Sequence, residues 1–144
     1  VSAQSKVKPI FVLAEGEAPL AKYALAKPSE RASIKGLLSK VTIGKRAAAA
    51  IFVEGYELPR SRRVDLSADI VITDPTGREV VDKASVANAQ TMDPKTMKVV
   101  PLKPVVGLMF GLTDPEGEYQ VRITVWDHVR GDSSSLETKF TVTR

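Results

Sequence analysis

Hydrophobic and polar positions alternate most regularly near the end of the chain. Tyr119, Val121, Ile123 and Val125 fall on one face of the stretch from Tyr119 to Asp127, and Gln120, Arg122, Thr124 and Trp126 fall on the other. A period of two predicts a half-buried antiparallel strand. The turn sequence Asp114-Pro115-Glu116-Gly117 leads into it, and a loop through Gly131 leads on to a last strand from Leu136 to Val142. The same alternation runs from Val64 to Thr73, with Val64, Leu66, Ala68, Ile70 and Ile72 on the inward side. Asp74-Pro75-Thr76-Gly77 then has the proline and glycine of a tight turn, and Arg78 to Val81 is its short return strand.

The remaining segments are less regular. Lys8 to Ala14 predicts a first strand, and Val41 to Ile43 a short one that bends at Gly44. Between them Leu20, Tyr23 and Ala24 sit at helical spacing, which predicts one or two turns of helix ending before Pro28. Ser29 could open another turn, and Ile34, Leu37 and Leu38 a third. Ala47 to Glu54 combines four alanines with Ile51-Phe52-Val53. We take it as a central strand whose small side chains leave room for something bulky above, with a helix as the alternative. Residues 82–104 predict a long irregular connection with one edge strand from Met97 to Leu102. Val105 to Leu112 predicts a strand with Leu108, Phe110 and Leu112 on one face. About seven or eight strands, with turn signals roughly every eight to twelve residues, predict an all-β antiparallel sandwich. One or two short helical turns near residues 18–40 complete a single domain over 1–144, with residues 1–6 a flexible start.

Two segments carry a family resemblance. Gly117-Glu118-Tyr119, the alternation to Asp127, the Gly131 loop and Phe140-Thr141-Val142 resemble the last hairpin of immunoglobulin-like and fibronectin-type-III-like sandwiches, domains common in exported bacterial proteins. The stretch 68–81 is similar to strand–DPxG–strand segments of the same class. Leu112 to Tyr119 resembles the corner in which a tyrosine bonds back to an upstream backbone group. The resemblance implies a sandwich. It leaves function open, because fold analogy does not transfer activity.

Composition narrows the function classes. The chain has 144 residues, is 43% hydrophobic and has no cysteine, which removes disulfides, thiolate catalysis and zinc-finger ligation. No apolar run reaches the roughly 18–20 residues of a membrane-spanning helix. The small-residue start Val-Ser-Ala-Gln-Ser suits a processed end and an exported, periplasmic or secreted protein, with a cytoplasmic one as the alternative. The net charge of +4 divides into +7 over residues 1–63 and −3 over residues 64–144. A basic half could meet an anionic partner, but a solvated, soluble face is the favoured reading.

The residue types for catalysis are thin. His128 is the only histidine, and no Gly-x-Ser-x-Gly elbow accompanies it. A small hydrolase using His128 is therefore the weakest alternative, and the sequence points away from an enzyme. No calcium loop, nucleotide fingerprint or cofactor motif is present. Met92, Met97, Met109 and His128 are soft donors of the kind copper(I) accepts. A small-molecule or metal-binding protein with 82–104 as a lid is thus a second alternative, although no residue is assigned as a metal ligand. Arg60, Arg62 and Arg63 beside Tyr56 form the sharpest basic cluster. With eight aromatics in the chain, most of them needed for a core, nucleic acid is disfavoured as a partner. The outward face of the penultimate strand is the better candidate. Trp126 with Arg122 has the composition of an interface anchor, and His128 follows it in the loop. The leading expectation is a non-catalytic binding or accessory module that recognises another protein through a sheet face or edge. Its candidate contacts are Trp126, Arg122, His128, Arg60, Arg62 and Arg63. Segments 14–40 or 82–104 folding over Trp126 would bury that face.

Overall fold

The computed structural model describes residues 6–57, 60, 63–91 and 99–144. The chain forms an all-β sandwich of two sheets. Its strands are β1 (Lys8–Ala14), β2 (Lys40–Thr42), β3 (Ala47–Glu54), β4 (Arg63–Thr73), β5 (Glu79–Thr91), β6 (Val100–Pro101), β7 (Val106–Leu108), β8 (Gly117–Asp127) and β9 (Asp132–Thr143). Helix α1 (Glu17–Leu25) and a 3-10 turn, Pro28–Ser33, lie between β1 and β2. One sheet has the order β1-β3-β6, with β7 also on β3; the other has the order β2-β9-β8-β4-β5. All pairings are antiparallel except β2 with β9, where Val41 lies beside Val142 in a parallel ladder.

The core between the sheets follows the alternation. Tyr119, Val121, Ile123 and Val125 on β8 and Val64, Leu66, Ala68, Ile70 and Ile72 on β4 are all buried. They pack against Ala47, Ala49, Ile51 and Val53 of β3 in one cluster. Each large apolar side chain buried there stabilises by roughly 1.5–3 kcal/mol. That magnitude ties the register down, because a one-residue slip would turn the whole row to solvent.

β3 is buried on both faces. Its even positions, Ala48, Ala50 and Phe52, form a second cluster with Val12 and Ala14 of β1 and with Leu20 and Ala24 of α1. The small alanines let the helix come close, and Tyr23 lies over Phe52 with ring centroids 4.9 Å apart. The segment predicted to leave room for a bulky neighbour therefore receives α1.

The Asp74 turn closes as its sequence predicts. The buried Asp74 carboxylate accepts from the Thr76 N–H at 2.9 Å, the Thr76 hydroxyl at 2.6 Å and the Arg78 N–H at 3.0 Å. These donors favour the charged form and hold its pKa below the ordinary aspartate value; the Thr76 hydroxyl has the largest effect. The tyrosine corner also forms: the buried Tyr119 donates its hydroxyl to the Pro115 carbonyl at 2.8 Å.

The all-β sandwich of about seven or eight strands is borne out, with nine strands among the described residues, two of them only two or three residues long beside β3. Several local expectations are corrected. β5 continues to Thr91, well past Val81, so residues 82–91 are strand where an irregular connection was predicted. Backbone pairing with β4 carries this extension, with bulges at Val64/Asp65 and Ile72/Thr73. Among the described residues the predicted edge strand is Val100–Pro101, ending before Leu102, and Met97 and Lys98 lie outside the described residues. β7 stops at Leu108. Phe110 stays buried beyond it, but Leu112 is 76% exposed, because the chain turns at Gly111 and leaves the inward row. Ile34, Leu37 and Leu38 form no helical turn: the Leu38 N–H donates to the Leu13 carbonyl at 2.7 Å and Leu37 bridges to Ala14, so β1 takes the segment as a sheet neighbour. The predicted flexible start falls almost wholly outside the described residues, which begin at Lys6.

Candidate functional site

The outward face of the five-stranded sheet is set by the same alternation that fills the core. Trp126 stands opposite Ser67 on β4 and Ser133 on β9; Thr124 is opposite Asp69 and Ser135; Arg122 is opposite Val71 and Glu137. Trp126 and Thr124 are half-buried, and Arg122 is exposed. The described parts of the segments expected to cover this face go elsewhere, and residues 92–98 lie outside the described residues. α1 packs on the far side of the other sheet, and β5 widens this sheet at its edge.

Around the indole the neighbours are small and polar. Thr124 Oγ1 and Ser135 Oγ lie 3.2 Å apart, and Ser67 Oγ lies 2.8 Å from His128 Nε2. The His128 N–H donates to the Asp65 carbonyl at 2.9 Å, so the first residue beyond β8 is still tied to β4. The fold thus brings Trp126, Ser67 and His128 together. Nothing in the sequence pairs Ser67 with Trp126; only the register between β4 and β8 does.

Arg122 meets a different environment. Its Nε lies 3.3 Å from Glu137 Oε1, with both side chains about 70% exposed or more. Lys139 and Glu118 make a similar pair at 3.3 Å. Exposed pairs of this kind contribute little stability, but they neutralise the cation. Trp126 lies four positions beyond Arg122, about 13 Å along the strand, so the two belong to one surface without touching.

The end of this face is built on Asp127, which the sequence reading missed. It continues the inward row of β8 and is buried, with 1% exposure. Its carboxylate accepts from the Glu57 N–H at 2.7 Å, the Val129 N–H at 3.1 Å and the Arg130 N–H at 3.3 Å. One side chain therefore shapes the β8–β9 turn and anchors the chain leaving β3. Arg130 closes the corner, with Nη2 2.6 Å from Glu57 Oε2 and Nη1 donating to the Gly55 carbonyl at 3.0 Å. The Glu57 carboxylate raises the Arg130 pKa above its ordinary value. An aspartate directly after an inward apolar row, followed by a short polar loop, was the only available signal.

The basic cluster is divided. Arg63 opens β4 in the outward row with Asp65 and Ser67, at the same end of the sheet as His128, because Leu66 pairs with Asp127. Arg60 is exposed in the preceding loop, and Arg62 lies outside the described residues. Tyr56 is half-buried against the core, and burial raises its hydroxyl pKa. It is no open platform for a base beside those arginines.

The Ser67–His128 contact has the residue types of a nucleophile–base pair, with the hydroxyl 2.8 Å from the ring nitrogen. Among the described residues no carboxylate orients the imidazole, as a triad requires. Of the soft donors, the two that are described do not converge. Met109 is 62% exposed and precedes Phe110, whose ring meets Tyr119 near the start of β8, whereas His128 follows the end of that strand. Met92 and Met97 lie outside the described residues. Among the described residues no three His, Cys, Asp or Glu side chains cluster as metal ligands, and no helix is long and apolar enough to cross a membrane.

No protein-family model and no curated protein matches the chain. Solved structures share its outline at low identity. A CARDB domain from Pyrococcus furiosus, in complex with di-metal ions, gives a TM-score of 0.45 at 10% identity, over 99% of this chain and 98% of that one. A family 123 glycoside hydrolase from Clostridium perfringens gives 0.44 at 10% identity, over 95% of this chain and 27% of that one. A Pseudomonas fluorescens alkylpurine DNA glycosylase, bound to DNA containing an abasic-site analogue, gives 0.38 at 11% identity, over 97% of this chain and 31% of that one. Likenesses at this level do not bear on the site.

Proposed function

We propose that this is a non-catalytic binding or accessory domain that recognises another protein through the outward face of its five-stranded sheet, centred on Trp126. One observation carries this reading. The single tryptophan lies in the outward row and is left half-buried there, while α1 packs on the other sheet. Aromatic anchors of this kind dominate binding energy at protein interfaces. Ser67, Ser133, Thr124 and Ser135 surround it with hydrogen-bonding groups, and His128 and Arg63 mark one end. Arg122, held by Glu137, lies further along the strand.

The experiment is direct because Trp126 is the sole tryptophan, so its emission reports on this face alone. Trp126→Ala is expected to fold, with a stability loss of about 1 kcal/mol from cross-strand contacts. Immobilised on a support, it should lose a partner that the wild-type domain captures from an envelope extract of its host. Binding of that partner to the wild type should protect Trp126 from acrylamide quenching. An unfolded variant, or a captured partner that leaves the quenching unchanged, would refute the assignment.

A further inference from the structure

We propose that Trp126 takes a neutral, glucose-type sugar, so that the partner protein is bound through a saccharide it carries; this rests on the protein-recognition reading of the face. The ring of side chains around the indole points to it. Ser67 and Ser133 lie opposite Trp126 on the neighbouring strands, and Asp69 and Ser135 lie on either side of Thr124. His128 follows on the same side and contacts Ser67. Every outward position next to the indole is thus polar, and the nearest apolar one on β4 is Val71, beyond Asp69 and level with Arg122. The centre of a direct protein–protein interface is instead depleted of charge, and its anchors sit in well-packed pockets. One aromatic surface in a field of short hydroxyl and carboxylate groups matches a ligand with an apolar face and a polar rim. A glucose-type pyranose has this form: C–H groups cover its faces, and equatorial hydroxyls radiate from its edge.

The polar groups have capacity for such a rim. Thr124 with Ser135, and Ser67 with His128, form hydrogen-bonded pairs. A hydroxyl has one donor and two acceptor sites, so each pair can also bond a sugar hydroxyl. Asp69 is exposed and in no ion pair among the described residues, and its carboxylate accepts from more than one donor. Charge selects against rival occupants. Asp65 and Asp69 share the outward row of β4 with Ser67, whereas Arg63 comes four positions before that serine. The phosphate of a nucleotide, or the carboxylate of a uronate, would therefore meet like charge beside the indole. A proline-rich helix docks in an aromatic-lined groove, and Trp126 is the one aromatic in the outward rows of β4, β8 and β9.

Cellohexaose, a chain of six such units, is the probe. Added to the whole chain at millimolar concentration, it should protect the Trp126 emission from acrylamide and release the partner captured from the envelope extract. The same hexamer oxidised at C6 to the uronate should do neither. By calorimetry Trp126→Ala should show no binding of cellohexaose, and Asp69→Ala should bind it about tenfold more weakly, from loss of hydrogen bonds to a charged group. The aspartate variant, changed at an exposed side chain, decides the matter if the tryptophan variant does not fold. Failure of cellohexaose to protect Trp126, while the captured protein still does, would overturn the sugar assignment and leave the protein-binding face standing. Protection by neither would remove both. Equal binding of the oxidised hexamer, no release of the captured partner, or wild-type affinity in the folded variants would each overturn the assignment as well.

Discussion

Tyr119→Phe isolates the contribution of one hydroxyl. The ring is fully buried and lies 5.0 Å from Phe110 and 5.5 Å from Phe140 between centroids, and phenylalanine keeps all of that packing. What is lost is the 2.8 Å bond to the Pro115 carbonyl. A typical intramolecular hydrogen bond contributes a net 0.5–1.5 kcal/mol or so, and an orphaned buried acceptor adds about 1–3 kcal/mol. Pro115 is half-buried, so water can replace part of the bond, and the total should be about 1–2 kcal/mol. At an unfolding entropy of roughly 2.1 cal/mol/K per residue, that lowers Tm by about 3–7 °C in a chain of this length. Urea unfolding should show a lower midpoint with unchanged m-value. Tyr119→Ala, which also removes the ring, should cost about 3–5 kcal/mol. A phenylalanine variant within about 0.3 kcal/mol of wild type would show that the ring alone holds the corner. A phenylalanine variant as damaged as the alanine one would show that the packing described here is wrong.

Three further outcomes are expected. Gly55 has φ +69°, and a Cβ there would lie 1.9 Å from the Lys6 carbonyl oxygen. Gly55→Ala should therefore cost at least about 2 kcal/mol in urea unfolding, against about 1 for Gly77→Ala, which has open space and only the left-handed backbone against it. Asp127→Ala strands three N–H donors and should destabilise by about 2–3 kcal/mol, with amide exchange accelerating at Glu57, Val129 and Arg130; no change at those amides would refute the capping role. Asp74 has a lowered pKa in the fold. Its contribution is full above the unfolded aspartate value near about 4 and is lost as pH falls through the lower folded value. The urea midpoint of Asp74→Asn should accordingly fall less steeply than wild type on the acid side, and parallel curves would refute it.

The hairpins were legible because β4 and β8 each bury one face, and such a strand writes its burial as alternation. β3 was harder, because burial on both faces erases the period; its alanines recorded the close approach of α1 but not which segment would arrive. The extension of β5 left little trace, since backbone pairing with β4 and not a side-chain pattern carries it. In the candidate site, the outward placement of Trp126 followed from its parity with Arg122. Its neighbours did not. Ser67 and Ser133 reach the indole only through the register of three strands, and Asp127 looked like one more turn carboxylate until its three donors were in place.

The ends of the sandwich have a mechanical consequence. The Lys6 N–H donates to Asp132 at the start of β9, whereas the Arg144 N–H donates to Glu116 just before β8. The two points lie at opposite ends of the long strands, so tension applied between them runs along β1 and β9. It loads the β1–β3, β2–β9 and β8–β9 ladders in shear, many hydrogen bonds at once, instead of peeling them open singly. Resistance to such a pull is governed by the unfolding rate and not by equilibrium stability. The parallel pairing of Lys40–Thr42 with Thr141–Thr143 sits where that load enters β9, so this three-residue strand acts as a clamp on the fold under tension.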